Sequence, residues 1–135
     1  MNIYFCGSMT HSQEKMLFYK ELIDYLKNYG IILNEFVGEK IVKKNNLEIY
    51  NRDTNNLKNA DILIADVSVV STGVGFELGY ADLLDINSLI IYDENYPLPS
   101  GLILGNPKFK ISSYKTIEDA KLIVDDFCKK MTKNK

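Results

Sequence analysis

Short apolar runs alternate along the chain with longer segments in which apolar residues recur every three or four positions. The short runs have the length and aromatic or branched content of β-strands, and the longer segments have the spacing of amphipathic helices. The run at 61–67 is apolar between its two aspartates, which is typical of a strand covered on both faces. We predict strands at residues 2–6, 31–37, 61–67, 88–93 and 109–111, and helices at residues 13–29, 47–59, 75–84, 102–104 and 116–131.

Polar residues and glycines mark the ends of these predicted helices. Ser12 and Thr116 are N-cap residues, because their hydroxyls can accept a free N–H group of the first turn. Gly30 is a stop signal for the first helix, and the lysines that end the last helix suit its dipole. The polar segment at 38–46 is predicted to be a loop.

The regular alternation of strand and helix indicates an α/β fold. It predicts a doubly wound (Rossmann-like or flavodoxin-like) parallel five-stranded sheet with helices on both faces. In such sheets, ligands bind beyond the carboxyl ends of the strands, near the point where the strand order reverses. Three predicted loops lie at such ends, at residues 7–11, 67–75 and 93–101, so we expect the functional site there.

The composition narrows the classes of function. The 135 residues are the size of one domain, residues 1–135, and the net charge of −2 gives no basic footprint for a nucleic-acid polymer. No run approaches the roughly 20 apolar residues of a membrane span, and the start MNIYFCGS is no signal peptide, so we expect a cytoplasmic protein. Cys6 and Cys128 form neither a disulfide framework nor a metal motif, and with His11 as the single histidine we predict no metal site.

The stretch STGVGFELGY at 71–80 follows an apolar strand and holds two closely spaced glycines. Gly73 and Gly75 would let a ligand approach the backbone, and the helix that follows would offer unpaired N–H groups to an anion. The spacing G-x-G-x-x-x-G after a late strand does not match the dinucleotide fingerprint. The plainer alternative is a tight turn with packing glycines, followed by a solvated acid, Glu77, in the first helical turn.

Two acidic side chains can converge beside this turn. Asp53 lies on the sheet-facing side of a predicted helix, although an ion pair with Arg52 or Lys58 is the commoner role of such an acid. Two carboxylates at one crevice suit cleavage of a glycosidic bond, where one attacks the sugar carbon and the other handles the proton of the leaving group. We expect Glu77, near a helix N-terminus, to stay ionised at neutral pH. Asp66 is predicted to be structural, accepting N–H groups of the loop after its strand.

Small hydroxyl side chains surround the predicted crevice. With backbone N–H groups, Ser8, Ser71 and Thr72 can hold a phosphate, although serine and threonine are also common in turns. From its position alone, Tyr4 in the first strand is predicted to be a core residue. His11 is predicted to be a surface or capping residue.

Three segments together resemble a known family. They are IYFCGS at 3–8, YNRDTNNLKNADILIADV at 50–67 and STGVGFELGYA at 71–81. Their order and spacing resemble the nucleoside 2-deoxyribosyltransferase superfamily, and most of all its hydrolase branch, the 2′-deoxynucleoside 5′-phosphate N-hydrolases. The resemblance runs from residue 2 to about residue 105. It implies the same parallel α/β fold.

The resemblance implies a role for each matched position. Glu77 matches the nucleophile, which forms a glycosyl–enzyme intermediate at C1′, and Asp53 matches the acid that assists as general acid and base. Tyr4 matches a tyrosine that orients the nucleophile or the sugar. Gly7 and Ser8 match the adjoining ligand loop. No cofactor is implied.

Two serines favour the hydrolase branch. At the place of Ser71, transferases that act on free nucleosides tend to carry an aspartate, whereas the nucleotide hydrolases carry a serine that touches the 5′-phosphate. Ser100 matches a residue that the hydrolases contribute from the neighbouring subunit to the phosphate site. We therefore expect Ser71, Gly73, Gly75 and Ser100 to bind substrate in a homodimer or larger homo-oligomer.

The chain departs from the hydrolases at two places. Residues 9–12 read Met-Thr-His-Ser, where the hydrolases have a basic, glycine-rich loop, and Phe36 stands where relatives place a histidine or glutamine that contacts the base. Phosphate binding would then depend on helix and hydroxyl donors, with Lys40, Lys43 or Lys44 from the polar loop.

The expected activity is hydrolysis of the N-glycosidic bond of a (2′-deoxy)nucleoside 5′-monophosphate. The products are the free base and (deoxy)ribose 5-phosphate. One alternative is a nucleoside 2-deoxyribosyltransferase, in which a second base takes the place of water. The other is a non-catalytic nucleotide-binding module, since a fold alone does not fix a function.

Overall fold

The computed structural model describes residues 1–8, 13–35 and 45–133, in which strands and helices alternate as predicted. The strands are β1 Asn2–Cys6, β2 Ile31–Ile32, β3 Ile62–Asp66, β4 Asn87–Asp93 and β5 Phe109–Tyr114. The helices are α1 Gln13–Leu26, α2 Asn46–Lys58, α3 Thr72–Leu83, α4 Gly101–Leu104 and α5 Ile117–Lys133.

The strands form one parallel sheet in the order β2-β1-β3-β4-β5. In the centre of the sheet, Ile3 of β1 pairs with Ile62 of β3, and Leu63 of β3 pairs with Ser88 of β4. The sequence leaves β1 for β2 on one side and continues from β3 on the other, so the strand order reverses between β1 and β3. The predicted fold class is confirmed, and the ligand crevice of such a fold lies beyond the carboxyl ends of these two strands.

Apolar side chains cover both faces of the sheet. Successive residues of a strand point to opposite faces, so Ile3 and Phe5 join the core beneath α1 and α5. Tyr4 and Cys6 join the core beneath α2 and α3. The two helical layers therefore bury separate clusters, and the catalytic candidates belong to the α2–α3 side.

The predicted second strand is shorter than its apolar run. β2 comprises Ile31–Ile32, and residues 33–35 form a turn. The buried Asn34 explains this difference, because its side chain takes over the pairing with β1. Its Oδ1 accepts the Phe5 N–H at 2.9 Å, and its Nδ2 donates to the Phe5 carbonyl. A side-chain amide thus continues the ladder where backbone pairing stops.

Three further boundaries differ from prediction by three residues each. α1 ends at Leu26, because residues 27–29 form tighter bonds such as Tyr29 N–H to Leu26 O at 2.9 Å. α3 begins at Thr72 rather than at residue 75, and β5 extends to Tyr114 beyond the predicted 109–111. In the described ranges, no helix is long and apolar enough to span a bilayer.

Some predicted features lie outside the described residues. They are the N-cap Ser12, the single histidine His11, the rest of the loop at 9–12, Phe36, and the loop lysines Lys40, Lys43 and Lys44.

Candidate active site

Glu77 is held from below by the first strand. The Tyr4 hydroxyl donates a hydrogen bond to Glu77 Oε2, and Cys6 lies two residues further along the same face of β1. Tyr4 and Cys6 are each 1% exposed. Burial and the negative charge of Glu77 raise the pKa of the Tyr4 phenol far above its usual range, so this group stays a proton donor.

The pKa of the Glu77 carboxyl is raised to about 7. Burial is the main cause, and the charge of Asp53 adds to it, whereas the bond from Tyr4, the nearby thiol of Cys6 and the charge of Arg52 act in the opposite direction. The expectation of a carboxylate fully ionised at neutral pH is therefore wrong. Because α3 starts at Thr72, Glu77 is its sixth residue and lies beyond the first turn, where the helix dipole acts.

Asp53 faces the same cavity as Glu77. The cavity has a volume of about 290 Å³ and lies between α2 and α3. Arg52 Nε donates to Asp53 Oδ1 at 2.9 Å, so the ion pair considered from the sequence forms, yet the carboxyl still lines the cavity. The remaining wall is mostly apolar, formed by Ile49, Tyr50, Leu57 and Phe76 among others. Two carboxyl groups thus share one cavity with an apolar wall.

Ser71 and the two glycines belong to the start of α3, not to a loop before it. Ser71 is the N-cap, and its Oγ accepts the Val74 N–H at 3.3 Å. The Gly75 N–H already donates to the Ser71 carbonyl at 3.1 Å. It is therefore not one of the unpaired donors for an anion that the sequence predicts at the start of this helix. Gly73 lines the Asp53–Glu77 cavity.

A second cavity brings Ser71 and Ser100 together. It has a volume of about 420 Å³ and is also lined by Gly75. Ser100 is the N-cap of α4, where its Oγ accepts the Leu102 N–H at 3.2 Å. Within a single chain, the two serines predicted to bind phosphate therefore already share a concave surface.

Gly7 and Ser8 follow β1 at its carboxyl end. A Cβ on Gly7 would lie 2.8 Å from Cε2 of the buried Tyr19, so close packing of this ring requires glycine. Ser8 is 3% exposed, and its Oγ finds no hydrogen-bond partner among the residues that the structure describes. A buried hydroxyl of this kind retains its capacity to bond a ligand.

Asp66 is structural, as predicted. It is fully buried, and its Oδ1 accepts the Ser68 N–H at 2.9 Å and the Tyr19 hydroxyl at 3.2 Å. The Tyr114 hydroxyl donates to Oδ2. Asp66 shares its strand face with Ile62 and Ile64, so it lies on the α1–α5 side of the sheet, away from Glu77.

Sequence reasoning missed two buried groups. Lys15 is 3% exposed, with Nζ 2.9 Å from Asp93 Oδ2 and 2.6 Å from the Tyr114 hydroxyl, and a lysine on a helix gives no sequence signal for burial. The sequence analysis considers Cys6 only as a metal ligand or a disulfide partner. Its signal was present, since period-two alternation places it on the same face as Tyr4.

The model of the family described as nucleoside 2-deoxyribosyltransferase matches residues 3–132. The chain belongs to this family. It is 30% identical to a 5-hydroxymethyl-dUMP N-hydrolase of Danio rerio over 144 residues, covering 99% of this chain and 100% of the relative. It is 35% identical over 140 residues to a Trichoplax adhaerens protein provisionally named 2′-deoxynucleoside 5′-phosphate N-hydrolase 1, covering 98% and 96%.

Two solved structures have the same fold. A CMP N-glycosidase of Clostridium botulinum superposes with a TM-score of 0.75 at 19% identity, covering 94% of this chain and 99% of that one. A 2-deoxyribosyltransferase of Bacillus psychrosaccharolyticus superposes with a TM-score of 0.64 at 15% identity, covering 90% of both chains. With the family model and the curated relatives, the chain is an enzyme of the N-glycosidase or deoxyribosyltransferase type, whose substrate is a nucleoside or nucleotide.

Proposed function

We propose that this enzyme hydrolyses the N-glycosidic bond of a 2′-deoxynucleoside 5′-monophosphate to the free base and deoxyribose 5-phosphate. The observation that carries the proposal is the shared cavity, in which Glu77, fixed by Tyr4, and Asp53 both face an apolar space. The curated relatives over nearly the whole chain carry N-hydrolase names, which favours water over a second base as the acceptor.

The first step is attack of the ionised Glu77 carboxylate on C1′. The C1′–N bond breaks, its electron pair leaves with the base, and the one proton that the Asp53 and Glu77 carboxyl groups share passes through Asp53 to the base nitrogen. The Tyr4 hydroxyl holds the attacking carboxylate in one orientation. With its pKa at about 7, Glu77 is ionised in roughly half of the molecules at neutral pH.

The second step releases the sugar. Asp53, now a carboxylate, takes a proton from a water molecule, whose oxygen attacks C1′ and displaces Glu77. The Arg52 guanidinium, 2.9 Å from Asp53 through Nε, stabilises this charged form. The products are deoxyribose 5-phosphate and the regenerated carboxylate, so water is the one co-reactant that the cycle consumes.

The substrate would lie across both cavities. Its base would pack against the apolar wall that includes Tyr50 and Phe76, while its sugar meets Glu77. Its 5′-phosphate would reach the Ser71 hydroxyl in the second cavity. Gly7 and the hydroxyl of Ser8, which has no partner in the described part of the chain, would complete the binding loop at the end of β1.

A homodimer would close the phosphate site, with Ser100 of one subunit serving its neighbour. Val70 and Leu102 line the second cavity and are each 89% exposed in the free chain, and Leu98, two residues before Ser100, is 77% exposed. Monomers rarely leave such a patch in water. Sedimentation should show a dimer that Leu102→Asp converts to monomers. The cytoplasmic location remains a prediction.

The test is a panel of deoxy- and ribonucleosides and their 5′-monophosphates, with base release followed by chromatography. We expect release from deoxynucleoside monophosphates and no release by Glu77→Ala, which should stay folded. Base exchange with an added second base would identify a transferase instead. Binding without base release over hours would indicate a non-catalytic module, and full activity of Glu77→Ala would exclude the proposed nucleophile.

A further inference from the structure

Ser68 is a buried polar residue between β3 and α3 that the proposed reaction does not use. It is 5% exposed and lies two residues after Asp66, the last residue of β3. It also lies three residues before Ser71, the N-cap of α3 that is proposed to meet the phosphate. Three residues span at most about 10 Å, so the groups that fix Ser68 also limit where Ser71 can lie.

Ser68 is held by polar contacts with the ends of three strands. Its N–H donates to Asp66 Oδ1 at 2.9 Å, and its Oγ accepts the Asp93 N–H at 2.8 Å. The Tyr114 hydroxyl, which donates to Asp66 Oδ2, lies 3.4 Å from the same Oγ. Asp66, Asp93 and Tyr114 are the last residues of β3, β4 and β5. Ser68 therefore fastens the chain to the sheet just before α3.

The segment between Ser68 and α3 has few contacts of this kind. In the described part of the chain, no backbone carbonyl accepts the N–H groups of residues 69–71. Val70 is 89% exposed. The next hydrogen bond along the chain is the cap of α3, where Ser71 Oγ accepts the Val74 N–H at 3.3 Å. Ser68 is thus the last residue before the cap that hydrogen bonds hold to the sheet.

We propose that Ser68 is a positioning residue, which holds the segment before α3 so that the Ser71 hydroxyl meets the 5′-phosphate of the substrate. Val67, Val69 and Ser71 line the second cavity, whereas Ser68 does not, so it acts through Ser71 and not by touching the substrate. The inference deepens the proposed function and rests on it. It names the residue on which the distinction between a nucleoside 5′-monophosphate and a free nucleoside depends.

Ser88 provides a matched control. It is also a buried serine, 2% exposed, and its Oγ donates to the Ile86 carbonyl at 2.8 Å. It lies at the amino end of β4, whereas Asp93 lies at the carboxyl end of the same strand. Ser88→Ala therefore removes a buried hydroxyl and one bond to the backbone far from Ser71.

The first measurement needs neither ligand nor catalysis. Hydrogen exchange of the Asp93 amide, followed by NMR, reports the bond to Ser68 Oγ. In Ser68→Ala this amide should exchange faster, because its acceptor is lost, and in Ser88→Ala it should exchange as in wild type. An unchanged exchange rate of the Asp93 amide in Ser68→Ala would overturn the proposed anchor.

The second measurement is calorimetric binding of deoxyribose 5-phosphate. Ser68→Ala should weaken binding about 3- to 10-fold, as for a misplaced hydrogen bond, whereas Ser88→Ala should bind as wild type. In a Ser71→Ala background, Ser68→Ala should cause little further loss, because the two serines act as a unit. Additive losses would show that Ser68 does not act through Ser71. A wild-type protein that did not bind this ligand would also overturn the inference.

The third measurement compares turnover of the monophosphate that wild type cleaves fastest with turnover of its free nucleoside. In Ser68→Ala, KM for the monophosphate should rise about 3- to 10-fold with little change in kcat, and kcat/KM for the nucleoside should stay at the wild-type value. Equal losses on both substrates would indicate a general packing defect and contradict the positioning role. Absence of turnover in wild type, with the exchange and binding effects present, would reject the proposed function and keep the role of Ser68.

Discussion

The Tyr4 hydroxyl donates a hydrogen bond to Glu77 Oε2 across 73 positions of the sequence, joining the first strand to the third helix. This bond aligns a buried phenol that stays protonated with a carboxyl that titrates near neutrality. The bond lowers the pKa of Glu77 and so counteracts part of the increase that burial causes. The sheet thereby sets both the direction and the charge of the proposed nucleophile.

Removal of this donor should make Glu77 harder to ionise. In Tyr4→Phe, we expect the acid limb of the kcat/KM profile to move to higher pH. Activity at pH 6 should fall about 10- to 100-fold, as for loss of a hydrogen bond to a charged group. Tyr19→Phe is the matched control, since Tyr19 is equally buried but bonds Asp66. An unshifted limb in Tyr4→Phe would refute the electrostatic role of the bond.

Glu77 should reduce the stability of the protein above neutral pH. Its pKa is about 7 in the folded chain against 4.5 for a solvent-exposed glutamate, so between these values the native state keeps a proton that the unfolded state has lost. Stability from this group therefore falls as pH rises from 4.5 to 7, by about 3 kcal/mol in total. Glu77→Gln, which cannot ionise, should be more stable than wild type by up to that amount at pH 8.

The measurement is urea unfolding of both proteins at pH 4 and at pH 8. At pH 4 the wild-type carboxyl is protonated in the folded chain, so the two unfolding free energies should nearly coincide. A gap of the same size at both pH values would mean that the substitution acts through packing and not through charge.

Asp53 should have two separable effects. Asp53→Asn removes the proposed general acid, so the maximal rate should fall about 10²- to 10⁴-fold. The same change removes a negative charge that raises the pKa of Glu77, so the acid limb of the residual activity should move to lower pH. Arg52→Gln removes a positive charge and should shift the limb to higher pH. If both variants left the limb in place, the proposed coupling across the cavity would be wrong.

Phe76 should contribute to substrate binding more than to chemistry. Its ring is 54% exposed, lines the cavity and lies 6.4 Å from the Tyr50 ring between centroids. Phe76→Ala should raise KM about 3- to 10-fold with little change in kcat, as for loss of one aromatic contact. Leu83→Ala on the same helix is the control, because Leu83 is exposed and does not line this cavity. If Phe76→Ala lowered kcat without raising KM, Phe76 would not belong to a wall that binds the base.

The fold could be predicted because its signals are local. Apolar runs of strand length alternate with helical periodicity, and a parallel sheet covered on both faces is the arrangement that buries them. The start of α3 could not be found this way, because Thr72, Gly73 and Gly75 are poor helix formers. Ser71 carried the missing signal, as an N-cap residue directly before the true first turn.

The site could be predicted in part. The resemblance supplied Glu77, Asp53 and Tyr4, and the first strand and a shared cavity bring these residues together. The titration of Glu77 was not predictable, because burial outweighs helix position and burial is a property of the assembled fold. The partly buried ion pair between Lys15 and Asp93 was not predicted for the same reason, since it joins residues 78 positions apart.

The sheet separates the proposed catalytic groups from the polar network formed by Lys15, Asp66, Asp93 and Tyr114. Substitutions that improve packing between α1 and α5 can therefore be chosen without moving Tyr4 or Glu77. The chain offers one layer for engineering heat tolerance and another for altering substrate choice. Both layers pack on the same strands. The two kinds of change should therefore combine additively only when their sites have no common neighbour in the sheet.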